Sequence, residues 1–245
     1  MKTNRGVSSI FVLSLIGILV AGLVDVATPK ITGADTVKQQ ALVDKARITF
    51  ETFMADSNMA WLRNHIKNAN GLLIVPELLK GAFIFGGEGG SGVLLVPDPE
   101  TGKWSEPAFY TIGAVSWGLQ IGGQKAEVII LVRTRKGLES LYTSSFKLGG
   151  DVSVAAGPVG TGAEAGTAPS LKADYLSFAR AKGAFVGISL EGAVIKTKDK
   201  WNNAYYGKPV RPVDIIVTRE VNNPKSDELR TAVTKAAKSP TRQRK

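Results

Sequence analysis

The chain has 245 residues, 44% of them hydrophobic, with one His, no Cys and a net charge of +10. That is enough apolar chain for one self-sufficient core, so a wholly disordered protein is not expected. The lack of cysteine excludes disulfides, thiolate metal sites and a cysteine nucleophile, and a single His65 excludes any triad or metal site needing two histidines.

Charge is uneven along the chain: residues 1–34 carry +2, residues 225–245 carry +5, and the long middle only +3. A uniform nucleic-acid-binding face is therefore not expected. At the start, Lys2 and Arg5 precede an uncharged run from Gly6 to Val24. A basic start and then a short apolar core is the pattern of a secretory signal, with small residues at Thr32-Gly33-Ala34 for cleavage before Asp35. The run is also long enough to cross a bilayer as an uncleaved anchor. Residues 1–34 are thus expected to be a signal peptide or N-terminal membrane anchor. The remainder is then exported, either periplasmic or secreted, or held at the membrane.

Glycine divides the rest of the chain. Residues 34–70 and 208–245 contain none, whereas most of the 27 glycines lie between Gly71 and Gly207. In the first glycine-free stretch Asp35 is a candidate N-cap, and Leu42, Ala46, Phe50 and Phe53 recur on one helical face. Asp56-Ser57-Asn58 interrupts this helix. Met59, Leu62 and Ile66 form a second stripe, which stops at Asn70-Gly71.

From Leu72 the period changes. Apolar runs at Leu72–Val75, Val93–Val96, Ala126–Val132 and Asp214–Thr218 read as strands. Glycine-interrupted strands are expected across Ala108–Gly123, Gly150–Gly166 and Gly183–Ile195, with a helix over Gly137–Ser145. The fold class is α+β: a Gly-rich, curved, mainly antiparallel β core, barrel- or sandwich-like, with N-terminal helices packed on it. Residues 35–224 form the body. Residues 225–245 form a basic C-terminal helix and tail with little apolar area, in which Ser226 caps a short helix.

The run Gly86-Gly87-Glu88-Gly89-Gly90-Ser91-Gly92 is not a phosphate loop, because no Gly-Lys-Ser/Thr comes after it and strands flank it. It is a structural turn, with Gly86, Gly87, Gly89 and Gly90 as its key positions. Glu88 and Glu191 are not brought together by the sequence and have no histidine to assist them, and His65 reads as structural. Several basic residues stand beside aromatics, a pattern suited to anionic headgroups. The candidates are Lys147, Arg180, Lys182, Lys196, Lys198 and Lys200. The last three alternate along a strand end and so are expected to share one face, edged by Trp201.

Four longer stretches resemble the signatures of one family, the SYLF domains. They are Lys80–Leu94; Pro107–Tyr110 with Ser116–Gln124; Phe146–Pro158; and Ser177–Gly192 with Tyr205-Tyr206-Gly207. The resemblance covers roughly residues 38–208. It implies a non-enzymatic lipid-binding module. Eukaryotic members bind phosphoinositides, and some bind or bundle actin through a yeast Wiskott–Aldrich-homolog partner, while bacterial members look exported. The export-type segment departs from the eukaryotic pattern, because an exported protein meets neither actin nor cytosolic phosphoinositides. The expected partner is therefore an anionic lipid or membrane surface at the cell envelope. The alternative is a structural or protein-interaction module of the envelope. No cofactor and no nucleic acid are expected.

Overall fold

The computed structural model describes residues 33–79, 89–113, 125–160, 172–181 and 183–238. The export segment, Gly86, Gly87, Glu88, the Ser116–Gln124 signature, Lys182 and residues 239–245 lie outside the described residues.

Helix α1 (Gly33–Ala55) begins two residues before Asp35, so the expected capping position falls inside its first turn. Its buried stripe is Gln39, Val43, Ala46, Phe50 and Phe53, spaced four, three, four and three, with Thr49 also buried. Leu42 is half-buried beside them. The Asp56 carboxylate accepts the Asn58 N–H at 2.8 Å and starts a 3-10 turn (Ser57–Met59) that leads into α2 (Ala60–His65). Met59, Leu62 and Ile66 are completely buried, as their spacing predicts.

The strands are β1 (Gly71–Leu79), β2 (Gly90–Leu95), β3 (Ala108–Gly113), β4 (Lys125–Val132), β5 (Ser145–Lys147), β6 (Val154–Ala156), β7 (Tyr175–Ala181), β8 (Ala184–Gly187) and β9 (Val194–Thr197). They form one curled, half-barrel sheet in the order β5-β9-β3-β2-β1-β4-β7-β6. Every pairing is antiparallel except β6 with β7. The outer edge of β7 is divided: Tyr175–Ser177 pairs with β6, and Phe178–Ala181 with β8. The remaining helices are α3 (Arg135–Ser140), α4 (Asp199–Tyr206), α5 (Pro212–Ile216) and α6 (Asp227–Lys238).

Both faces of the sheet are buried at its centre, which is why strands such as β1 and β4 read as continuous apolar runs. Leu73, Val75, Val128 and Ile130 face one core with Tyr110, Phe146, Ile195 and Ile215. Leu72, Ile74, Ile129 and Leu131 face the other, under Phe50 and Phe53 of α1, Leu62 of α2 and Leu229 and Val233 of α6. Period-two alternation assigns each strand residue to one of these cores.

Pro76 lies within central β1, where a proline removes a ladder donor. The sheet accommodates it with a bulge: the register slips between Ile74 and Glu77 against β2, and between Val75 and Leu78 against β4. The backbone of β1 then crowds β2. A Cβ on Gly92 would lie 2.6 Å from the Ile74 carbonyl oxygen, and one on Gly90 would lie 2.7 Å from that of Glu77. Gly90 is therefore required for close approach inside a strand rather than for a turn conformation. Gly89 begins the described hairpin, its carbonyl accepting the Leu79 N–H at 2.7 Å.

Further expectations change. The helix expected over Gly137–Ser145 is α3 (Arg135–Ser140), and Ser145 instead begins β5. Asp214–Thr218 is not a strand; its apolar residues belong to α5, which starts at Pro212 and is closed by reciprocal Arg211–Asp214 hydrogen bonds. Ser226 does not cap α6, because its fully buried hydroxyl donates to Glu106 Oε2 at 2.7 Å. The C-terminal segment is more than a basic tail: α6 buries Leu229 and Val233, and Arg230 Nη1 reaches Glu106 Oε1 at 2.9 Å.

Glu106 is only 5% exposed, and burial pushes its carboxyl above the usual range in spite of Ser226 and Arg230. The folded state therefore holds this proton more tightly than the unfolded chain does. Stability from this group is fully present below the unfolded pKa and is lost as pH rises through the folded one. Glu106→Gln mimics the protonated acid. Its melting temperature should gain on the parent's as pH rises above the ordinary carboxylate range, about pH 4. A gap that moves the other way would show that Arg230 outweighs burial.

Candidate functional site

At Thr197 strand β9 ends and the chain turns directly into α4. The turn is anchored from within. Asn202, completely buried, accepts the Phe109 N–H through Oδ1 at 2.8 Å, extending the β3 ladder into the helix. The Lys198 N–H donates to the Phe109 carbonyl at 2.9 Å. Trp201 packs on Phe109, with ring centroids 6.0 Å apart, and the Tyr205 hydroxyl donates to Gln40 Oε1 on α1 at 3.1 Å.

This junction holds three of the expected basic residues. Lys196 is exposed on β9, Lys200 is exposed in the first turn of α4, and Lys198 sits between them at the N-cap position. The predicted alternation along one strand is wrong, since the strand stops at Thr197. The three lysines nevertheless line one surface groove of about 520 Å³, together with Gln39, Thr111, Thr197, Asp199, Trp201 and Ala204. The Lys198 ammonium lies 3.8 Å from the centre of the Trp201 ring and donates to Ser91 Oγ at 2.9 Å. Its charge is thereby fixed over the aromatic plane. On the other side of Trp201 is a second groove of about 380 Å³, lined by Lys38, Ala41, Leu42 and Lys45 of α1, Pro76, Glu77 and Leu79 of β1, and Gly89–Ser91. Glu77 pairs there with Lys125 at 2.8 Å and Lys45 at 3.9 Å.

The other candidates separate. Lys147 is exposed on β5, diagonal to Lys196 across the Ser145–Lys196 and Lys147–Val194 pairs, so it shares the outer face of that edge. Arg180 does not join them. It lies on β7, beyond β3, β2, β1 and β4, where it pairs with Glu127 at 2.9 Å and lies 5.9 Å from the Phe185 ring centre. Glu127 also accepts from Thr49 of α1 at 3.0 Å, so Arg180 helps to fasten the helix to the sheet. His65 stacks on Trp61 with ring centroids 3.8 Å apart, and its Nδ1 lies 2.7 Å from the Trp61 carbonyl oxygen. Among the described residues no group of three or more His, Asp or Glu side chains comes together to hold a metal, and no helix is long and apolar enough to cross a membrane.

Sequence reasoning missed Gln39. It is 2% exposed and lines the lysine groove, and its Oε1 is buried without a hydrogen-bond partner. The signal was its place at the head of the buried helical register, in a position where an apolar residue is the norm.

Comparison with known proteins identifies relatives of this chain. A family described as Ysc84, Las17-binding protein actin regulator, matches residues 113–236. The chain is 30% identical over 152 residues to SH3 domain-containing YSC84-like protein 1 of Homo sapiens, covering 62% of this chain and 44% of that protein. It is 37% identical over 144 residues to SH3 domain-containing protein PJ696.02 of Schizosaccharomyces pombe, covering 58% of this chain and 33% of that one. With LAS seventeen-binding protein 3 of Saccharomyces cerevisiae it shares 34% identity over 145 residues, 58% of this chain and 31% of the yeast protein. The chain thus spans less than half the length of these relatives.

Proposed function

Because the chain belongs to the Ysc84 family of actin regulators, the family of the SYLF signatures, we propose that it works by binding rather than by catalysis, as a module that docks anionic phospholipid headgroups at the cell envelope. The observation that carries this reading is the convergence of Lys196, Lys198 and Lys200 on one groove, with Lys198 held over Trp201. Lysines beside a charged bilayer contribute about 1 kcal/mol each, and an aromatic at their edge suits the headgroup layer. The location at the envelope rests on the apolar run Gly6–Val24.

The test is charge reversal at the two exposed lysines, Lys196→Glu with Lys200→Glu, in the full chain. Lys198 is left intact because it bonds Ser91. The measured quantity is the excess of binding to vesicles containing phosphatidylglycerol over neutral phosphatidylcholine vesicles. That subtraction removes any contribution from the N-terminal apolar run. The parent's excess should fall as salt rises, since exposed charges are screened beyond about 8 Å at physiological ionic strength. The double variant should lose most of it with unchanged melting. An excess that survives the reversal would sink the reading.

A second reading comes from the relatives' names, which describe a Las17-binding protein. In it the same surface docks an acidic protein segment. Binding of the full chain to protein partners with no excess on anionic vesicles would favour it.

A further inference from the structure

We propose that Gln39 makes the lysine groove selective for phosphate esters that carry a hydroxyl close to the phosphate. The inference rests on the reading of this groove as a headgroup site and specifies what the headgroup must contain.

The groove makes two chemical demands. Lys196, Lys198 and Lys200 outnumber the single carboxylate of its lining, Asp199, and it opens at the start of α4, where the helix dipole favours negative charge. Both features call for an anion with several acceptor oxygens. Gln39 calls for the opposite. Its Oε1 is an acceptor, shut away from solvent, that receives no hydrogen bond. Buried polar atoms are almost always satisfied, and an unsatisfied one destabilises the free protein. A bare phosphate diester offers nothing to this oxygen. A headgroup that bears a hydroxylated carbon chain on its phosphate supplies both the anion and the missing donor.

The position of Gln39 supports this assignment. It heads the buried face of α1, so the helix backbone that carries it is held by Val43, Ala46, Phe50 and Phe53 beneath. The oxygen is therefore presented from a rigid element, while the lysines and Trp201 opposite are long side chains. Seating a ligand requires those side chains to give way, because Oε1 is closed to water in the free protein. Recognition then consists of an adaptable cationic wall and one fixed acceptor. Charge sets whether a headgroup binds, and Gln39 sets which one is kept.

The experiment uses the full chain in non-ionic detergent micelles, with bound molecules counted by native mass spectrometry. Phosphatidylglycerol and phosphatidylmethanol each carry one negative charge and differ in the headgroup hydroxyls. Free glycerol 3-phosphate is the third arm and separates a lipid source from a soluble ester. The parent should retain phosphatidylglycerol about tenfold more tightly than phosphatidylmethanol, as expected when one buried acceptor gains its donor. Gln39→Leu and Gln39→Met should lose that preference and melt no lower than the parent without lipid. If the parent binds both lipids equally and ignores glycerol 3-phosphate, the selectivity proposal is overturned and the headgroup reading stands. If it binds none of the three, both fall. Gln39-dependent binding of glycerol 3-phosphate with no difference between the lipids would support the same hydrogen bond and assign it to a soluble ester. A preference that persists in both variants would overturn the role of Gln39.

Discussion

Gly92→Val is expected to destabilise the protein by about 3 kcal/mol, the upper end of the usual overpacking cost. The added Cβ would lie 2.6 Å from the Ile74 carbonyl oxygen and 2.8 Å from Val75 Cγ2, distances that real Cβ atoms do not adopt. Neither neighbour can retreat. Ile74 is a completely buried residue of central β1, held by ladders to β2 and β4 on both sides, and the bulge at Pro76 fixes the backbone path just beyond it. Gly90→Val meets the same obstacle at the Glu77 carbonyl and should cost a comparable amount. Gly150→Ala is the matched control, because a Cβ there has only ordinary contacts, the nearest at 3.7 Å to Lys147. Urea unfolding monitored by circular dichroism gives the comparison. A Gly92→Val midpoint equal to the parent's would mean that the strands are further apart than described.

Ending the chain after Asn223 should abolish stable folding, whereas removing only residues 239–245 should leave melting unchanged. The longer deletion strips Leu229 and Val233, which are 1% and 0% exposed, from the core under α1. Burial of two such side chains contributes about 3–6 kcal/mol. It also removes Arg230 and Ser226, the hydrogen-bond partners of Glu106, at a further cost of about 1–3 kcal/mol. Together these approach the whole stability of an ordinary domain, about 5–15 kcal/mol. Soluble, cooperatively melting protein from the Asn223 truncation would show that α6 is dispensable. The two deletions separate packing from charge, because Arg242, Arg244 and Lys245 are lost in both.

The elements that could be read directly from the chain were those whose packing is one-sided or continuous. Phe50 and Phe53 marked α1 because a helix buries one stripe, and Ala126–Val132 marked β4 because both faces of that strand are covered. Asp214–Thr218 misled for a physical reason: a short apolar run looks the same in a buried strand and a buried helical turn. The arbiter was Pro212, which suits the first position of a helix. Lys196, Lys198 and Lys200 line one groove, but not as alternating residues of one strand. What joins Lys196 to Lys200 is the break before α4, and that break depends on Asn202 bonding Phe109, a contact between residues far apart in the chain. Arg180 looked like its neighbours in composition, yet Glu127 across the β4–β7 ladder neutralises it. Gln39 was invisible for the opposite reason. A polar residue on a helix is taken as solvent-facing until the neighbouring elements are known.

The order of strands has a consequence for how fast the site comes into being. β1, β2 and β3 are consecutive in sequence as well as in the sheet, so they can pair early. β9 cannot, because Tyr110 must find Thr197 after nearly all the intervening chain has been made and placed. Pairings between distant segments slow the search, since loop-closure entropy is lost before the contact is gained. The groove is assembled from both ends of that search, with Gln39 near the start of the chain and Lys196–Ala204 near its finish. It does not exist in a partly folded molecule. In a refolding reaction, the capacity to hold a ligand should therefore return in the slowest phase, behind the recovery of strand signal.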